Sequence, residues 1–125
     1  MKLFSTEGRL NRAPFILYPM GFGIVLTVLL VVWLVMIMPE SGNFDDVDWG
    51  SGLALIGVLF FSVIWFLWTI AYVTMCIRRL HDLDKDGLFV IAAFVPTVNF
   101  VFYLYLAIVK GTNGPNKYGE DPLLK

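Results

Sequence analysis

A chain of 125 residues has room for one domain, and this one is 58% hydrophobic and 15% charged, against about 45–50% and 25% in soluble domains. With a mean hydropathy of +0.77, the composition excludes an ordinary soluble fold. A net charge of -1 gives no basic field for nucleic acid, and one cysteine, Cys76, excludes an internal disulfide.

The polar head, residues 1–12, carries Lys2, Arg9 and Arg12. Residues 13–38 follow without a charge and are long enough to span: a hydrocarbon core of about 30 Å needs roughly 20 helical residues. Pro14 suits a first helical turn, where its missing N–H costs nothing. The stretch is too long for the apolar region of a signal peptide and reads as an uncleaved anchor. Pro19, Gly21 and Gly23 predict a kink and a close helix contact. The loop after Pro39 holds Glu40, Asp45, Asp46 and Asp48 and no Lys or Arg.

A second charge-free span covers 53–77, with Trp65, Trp68 and Tyr72 on one side of it, a stripe read as packing. The densest polar cluster occupies 78–87. The third apolar stretch, 88–109, is interrupted by Pro96, Thr97 and Asn99, and a polar tail of 110–125 closes the chain. The expected fold is therefore an all-α membrane protein, one integral membrane domain over 1–125. It has three hydrophobic helical segments, the third broken or kinked near Pro96–Asn99.

Lys and Arg mark the cytoplasmic side of a membrane protein. The head has three and the 78–87 connection has Arg78, Arg79 and Lys85, while the loop between them has none. A multi-pass protein with a cytoplasmic N-terminus follows. The side of the tail depends on the third stretch. Lys110, Lys117 and Lys125 mildly favour re-entry. Two arms of about ten residues reach only about 15 Å each, and free backbone at the turn needs shelter. Sterics thus favour one kinked crossing, with the tail outside.

The candidate chemistry is sparse. Asp82, Asp84, Asp86 and Gly87 have the spacing of the front half of a calcium loop, but the twelfth position is Ala93, where a bidentate Glu is required. His81 is the sole histidine, and beside Asp82 it could act as a proton shuttle. It lacks zinc partners and a nucleophile, so no catalytic residue, metal site or cofactor is assigned. Arg78 and Arg79 suit a helix C-terminus and also anionic headgroups. No charge lies in any span, which argues against an autonomous ion-coupled transporter. Thr27, Ser62, Thr69, Thr97 and Asn99 are the polar groups at depth, and oligomerisation is one way to cover them.

Three blocks carry a resemblance. They are Gly8-Arg9-Leu10-Asn11-Arg12-Ala13-Pro14-Phe15; Arg78-Arg79-Leu80-His81-Asp82 with Lys85 and Gly87; and Gly111-Thr112-Asn113-Gly114-Pro115-Asn116-Lys117-Tyr118-Gly119-Glu120-Asp121-Pro122. In order and spacing they resemble the YhaH/YhaI-like family of small bacterial inner-membrane proteins, a domain-of-unknown-function family. The resemblance implies a bacterial inner membrane and a few helices, and lends no catalytic residue. Residues 13–15 and Leu88-Phe89 depart conservatively from the family pattern.

The leading functional expectation is a non-enzymatic membrane protein. Its cytoplasmic-side cluster, Arg9, Arg12, Arg78, Arg79, His81 and Asp82, would bind anionic membrane lipid or a partner protein. Asn116, Gly119, Asp121 and Pro122 form a separate tail motif. Two alternatives stay open: an accessory subunit of a transport or stress-response complex, and a small homo-oligomeric channel lined by Asn99 and the threonines. A membrane enzyme using His81 and Asp82 is the weakest reading.

Overall fold

The computed structural model describes residues 4–124; Lys2 and Lys125, which entered the charge count, lie outside the described residues. The all-α expectation holds. Helices α1 (Arg12–Ile37), α2 (Gly52–Asp82) and α3 (Val98–Ile108) are joined by 3-10 segments at Phe44–Asp46 and Gly87–Phe94. Among the described residues there is no strand, only an isolated bridge between Asn116 and Gly119.

Local signals start each long helix. Asn11 caps α1: its side-chain oxygen accepts from the Arg12 N–H at 2.5 Å and its carbonyl from the Phe15 N–H at 3.3 Å. Ser51 caps α2, its hydroxyl accepting from the Ala54 N–H at 3.3 Å. At 1.5 Å per residue, α1 and α2 run roughly 39 and 46 Å, enough to cross a bilayer. Their middles leave large apolar side chains such as Leu29, Val32, Ile56 and Phe66 exposed, the surface of helices solvated by lipid.

The chain forms two compact units. In the unit of residues 20–68, Trp33 is the chief anchor. Its indole lies against Gly57, donates from Nε1 to the Leu53 carbonyl at 3.2 Å, and meets Phe61 at 5.3 Å between ring centroids. Phe22 stacks on Trp68 at 3.9 Å, which makes part of the aromatic stripe packing. The close helix contact expected at Gly21 and Gly23 occurs at Gly57 instead: nothing lies within 4 Å of a Cβ built on either of those two glycines, and α1 runs continuously through Pro19. Both of the mid-helix hydroxyls described here turn back on their own helix. Thr27 donates to the Gly23 carbonyl and Ser62 to the Val58 carbonyl, each at 2.7 Å.

The other unit, residues 4–19 and 69–124, holds most of the core. Phe15, Met75, Cys76, Leu80 and Leu106 are almost wholly buried there. Two findings correct the sequence reading. First, α2 does not stop at Ile77 but continues through Arg78-Arg79-Leu80-His81-Asp82, so this block is helical. The helix ends in a Schellman turn. Asp84 takes the left-handed conformation (φ 55°), its N–H donates to the His81 carbonyl at 3.1 Å, and the Lys85 N–H donates to the Leu80 carbonyl at 2.9 Å.

Second, the single kinked crossing is overturned. The third segment leaves α2 at Lys85 and returns to it at Thr112, whose N–H donates to the Asp82 carbonyl at 2.8 Å. Both ends of the segment therefore sit on the last turn of α2. Between them lies a helical hairpin. One arm is Gly87–Phe94, started by the Asp86 carboxylate accepting from the Leu88 N–H at 2.9 Å. The other arm is α3. The reversal is a γ-turn: the Val98 N–H donates to the Pro96 carbonyl at 2.8 Å, with Thr97 held at φ 68°. The steric objection fails because these local bonds, with the Asn99 N–H donating to the Val95 carbonyl at 2.9 Å, supply the shelter that the turn's backbone needs.

Candidate functional site

The three sequence blocks converge on one buried carboxylate. Asp82 stands on the last turn of α2, in the 4–19 and 69–124 unit. Arg9 donates to its Oδ1 from Nε at 3.0 Å, with Nη2 also at 3.0 Å, and Arg79 donates to Oδ2 from Nη1. Arg79 has no solvent exposure, Asp82 4% and Arg9 7%. Such a cluster folds only if the remaining N–H groups find acceptors, and they do. Arg79 donates from Nε to the Leu106 carbonyl at 2.8 Å, from Nη1 to the Leu10 carbonyl at 3.4 Å, and from Nη2 to the Val109 carbonyl. Arg9 donates to the carbonyls of Gly114 at 2.6 Å and Thr112 at 2.5 Å.

This arrangement solves two helix-end problems together. Carbonyls at a helix C-terminus have no partner within the helix. For α3, the arginines supply them: Arg79 reaches Leu106 and Val109, and Arg12 donates to the Ile108 carbonyl at 3.3 Å. Positive charge also complements the helix dipole there. For α2, the tail supplies them. The Thr112 N–H and hydroxyl donate to the Asp82 carbonyl at 2.8 and 3.1 Å, and Asn116 Nδ2 donates to the His81 carbonyl at 2.9 Å. The head adds the Leu10 N–H, which donates to the Arg78 carbonyl at 3.1 Å.

The tail motif is folded rather than irregular. The Asn116 and Gly119 backbones exchange two hydrogen bonds of 3.0 Å, and Asn116 Oδ1 accepts from the Tyr118 N–H at 2.9 Å. Asp121 closes the turn, accepting from the N–H groups of Leu123 and Gly114, each at 2.9 Å. These two bonds, Leu123 first, hold its carboxyl below the usual carboxylate range. Gly111 permits the close approach, because a Cβ there would fall on the Asp82 carboxylate. Gly114 needs its freedom too, with φ +73°.

All six residues of the expected cluster are thus brought together, and the tail motif is joined to them rather than separate. Their roles divide. Arg9, Arg79 and Asp82 face inward and have spent their hydrogen-bonding groups on protein. Arg12 is exposed. Arg78 is half-buried and lines a polar cavity of about 470 Å³ with Gly8, Arg9, Gly119, Glu120 and Pro122. His81 stacks on Tyr118 at 3.9 Å with the rings 5° apart. Its Nδ1 is buried with no partner among the described residues, so no relay to Asp82 is formed. The three aspartates of the calcium-like spacing do three different jobs: Asp82 pairs with arginines, Asp84 turns the chain and Asp86 caps the next segment. Sequence reasoning missed Thr112, Gly111 and Tyr118 as individual participants; all three lay inside the tail block, and only their distance from Asp82 in the chain hid the contact.

Comparison with known proteins bears on this arrangement. Residues 3–120 match the family described as Protein of unknown function (DUF805). A 48-residue portion is 42% identical to the inner membrane protein YhaI of Escherichia coli strain K12, covering 38% of this chain and 41% of that protein; the same protein of strain O157:H7 matches with the same values. The chain therefore spans about two fifths of the length of the curated relatives it matches. No solved structure matches it.

Proposed function

Because the chain belongs to the DUF805 family, with relatives that are named inner membrane proteins, we propose that it is a non-enzymatic, multi-pass protein of the bacterial inner membrane with a cytoplasmic polar cap that engages anionic lipid headgroups. One observation carries the reading. With the third segment re-entrant, all nine Lys and Arg fall in the head, the α2 end and the tail, while the 39–51 loop has four acids and no base. That segregation supports a cytoplasmic head and tail and an external loop.

Within the cap, the buried Arg9–Asp82–Arg79 cluster is scaffold. Headgroup contact falls to Arg12, Arg78, Lys85 and Lys110 on its periphery. Each basic residue near an anionic surface contributes about 1 kcal/mol.

Two measurements test this reading. Paired cytoplasmic and external reporters fused after Lys125 should report the cytoplasm, and an external signal would refute the topology. Native mass spectrometry from mild detergent should show an excess of phosphatidylglycerol over phosphatidylethanolamine that falls in Arg12→Ala/Arg78→Ala. An unchanged ratio in a folded double variant would refute the lipid role.

A further inference from the structure

The hairpin encloses a crevice that the cap chemistry does not use. It has a volume of about 260 Å³ and is lined by Leu80, Lys85, Phe89, Ala92, Phe102 and Tyr105. Five of the six are apolar or aromatic, one is a cation, and none is an acid.

The order of these residues along the arms is informative. Lys85 stands at the root of the first arm, with its backbone tied to Leu80 of α2. Phe89 and Ala92 follow towards the tip. On the returning arm, Phe102 precedes Tyr105, which lies one turn from the end of α3 at Ile108. The crevice thus has its one cation, Lys85, at the cap end and is lined by apolar and aromatic side chains from there towards the Pro96 turn. Along the Gly87–Phe94 arm, a 3-10 rise of about 2 Å per residue gives about 14 Å, close to half of a hydrocarbon core of about 30 Å. A crevice with this polarity gradient and this depth matches one leaflet's worth of a lipid, with its phosphate at the mouth and one chain inside.

We propose that the crevice between the Gly87–Phe94 arm and α3 holds an acyl chain of an anionic phospholipid whose phosphate pairs with Lys85. The volume falls just below that of pockets that enclose whole small ligands, about 300–1,000 Å³, and so suits a single chain with the headgroup outside. Charge complementarity selects the anion: Lys85 is the sole charge in the lining, and the carboxylates of Asp84 and Asp86 on either side of it lie outside the wall. This inference rests on the lipid reading above and gives it a defined site.

The test uses the full chain in nanodiscs with phosphatidylglycerol or phosphatidylcholine carrying the same photoactivatable acyl chain, and maps the crosslinked peptides by mass spectrometry. With the anionic probe, crosslinks should concentrate on Phe89, Phe102 and Tyr105, at about fivefold over the zwitterionic probe, the factor for about 1 kcal/mol from one basic residue. Lys85→Glu, a change at an exposed side chain, should abolish that preference. Ala92→Phe should fill the crevice and remove the crosslinks. Equal labelling by the two probes, or labelling unmoved by both variants, would overturn the site. If the bulk phosphatidylglycerol excess persists without crevice crosslinks, this inference fails and the surface reading stands; if neither appears, both fail.

Discussion

Asp82→Ala should release the tail. The change removes one carboxylate and leaves two guanidinium groups, at 0% and 7% exposure, without a counter-charge. Breaking a buried pair in this way costs about 3–5 kcal/mol. The cost should be felt locally, since α1 and α2 stay in the bilayer while the head and tail hydrate their arginines by opening. Hydrogen exchange reads this directly at two amides, the Leu10 N–H on the Arg78 carbonyl and the Thr112 N–H on the Asp82 carbonyl. Their protection should fall by roughly two orders of magnitude or more, since every 1.4 kcal/mol is about tenfold. Asp82→Asn keeps an acceptor oxygen and the shape but not the charge, and should fall between. An apolar replacement, Arg79→Met/Asp82→Leu, should not rescue, because it orphans the Leu106, Leu10 and Val109 carbonyls at about 1–3 kcal/mol for each buried group. A loss of protection below about tenfold in Asp82→Ala would refute the view that this carboxylate holds the cap together.

Three further outcomes follow from the same geometry. Gly111→Ala should drive a methyl group into the Asp82 carboxylate and cost about 1–3 kcal/mol as overpacking, seen as faster exchange at Thr112; wild-type exchange there would count against the close approach. Asp121 is held below the ordinary carboxyl value by its two backbone bonds, so it stabilises the tail turn fully above the unfolded value of about 3.9 and loses that effect as pH falls through the lowered folded value. The Gly114 and Leu123 amides should therefore keep constant protection from pH 8 to 5 and lose it below about 4, a step that Asp121→Asn should lack. In the 20–68 unit, Gly57→Ala should push the Trp33 indole off the α2 surface and break its bond to Leu53. A lower thermal midpoint in detergent, with altered tryptophan fluorescence, is the expected result, and an unchanged midpoint would disprove the contact.

The spans were legible because lipid-solvated helices announce themselves by uninterrupted apolar length. Pro14, a local signal, agrees with the structure in falling in the first turn of α1. What escaped was everything decided across the chain. The end of α2 was placed at Ile77 because apolar character stops there, yet the helix persists for five residues since Leu10, Thr112 and Asn116 satisfy its last carbonyls. The third stretch was read as one crossing because a reversal in hydrocarbon has unpaired backbone, and the γ-turn at Thr97 that pairs it is a rare conformation for a β-branched residue, with no sequence signature. The six-residue cluster was seen as a group, but not that half of it points inward, since spacing along a chain carries no record of burial.

That inward half changes where binding must occur. An arginine-rich block beside a membrane is ordinarily read as a headgroup clamp, with every guanidinium contributing. Here Arg9 and Arg79 are committed to Asp82 and to backbone carbonyls, in one network where donors, acceptors and helix dipoles are matched. A phosphate entering that network would have to displace Asp82 and leave it as an unpaired buried anion. Lys85 and Lys110 are exposed, and a phosphate beside either displaces nothing in that network.

Asp82 accepts two of these hydrogen bonds. Arg9 donates one and Arg79 one to its carboxylate. Five more go to backbone carbonyls: Gly114 and Thr112 from Arg9, and Leu106, Leu10 and Val109 from Arg79. A phosphate at either guanidinium would have to displace Asp82 or a backbone carbonyl and leave it without a partner. On the proposed lipid reading, headgroup contact therefore falls to the peripheral cations, and Lys85→Ala/Lys110→Ala should alter lipid selectivity without loosening the tail.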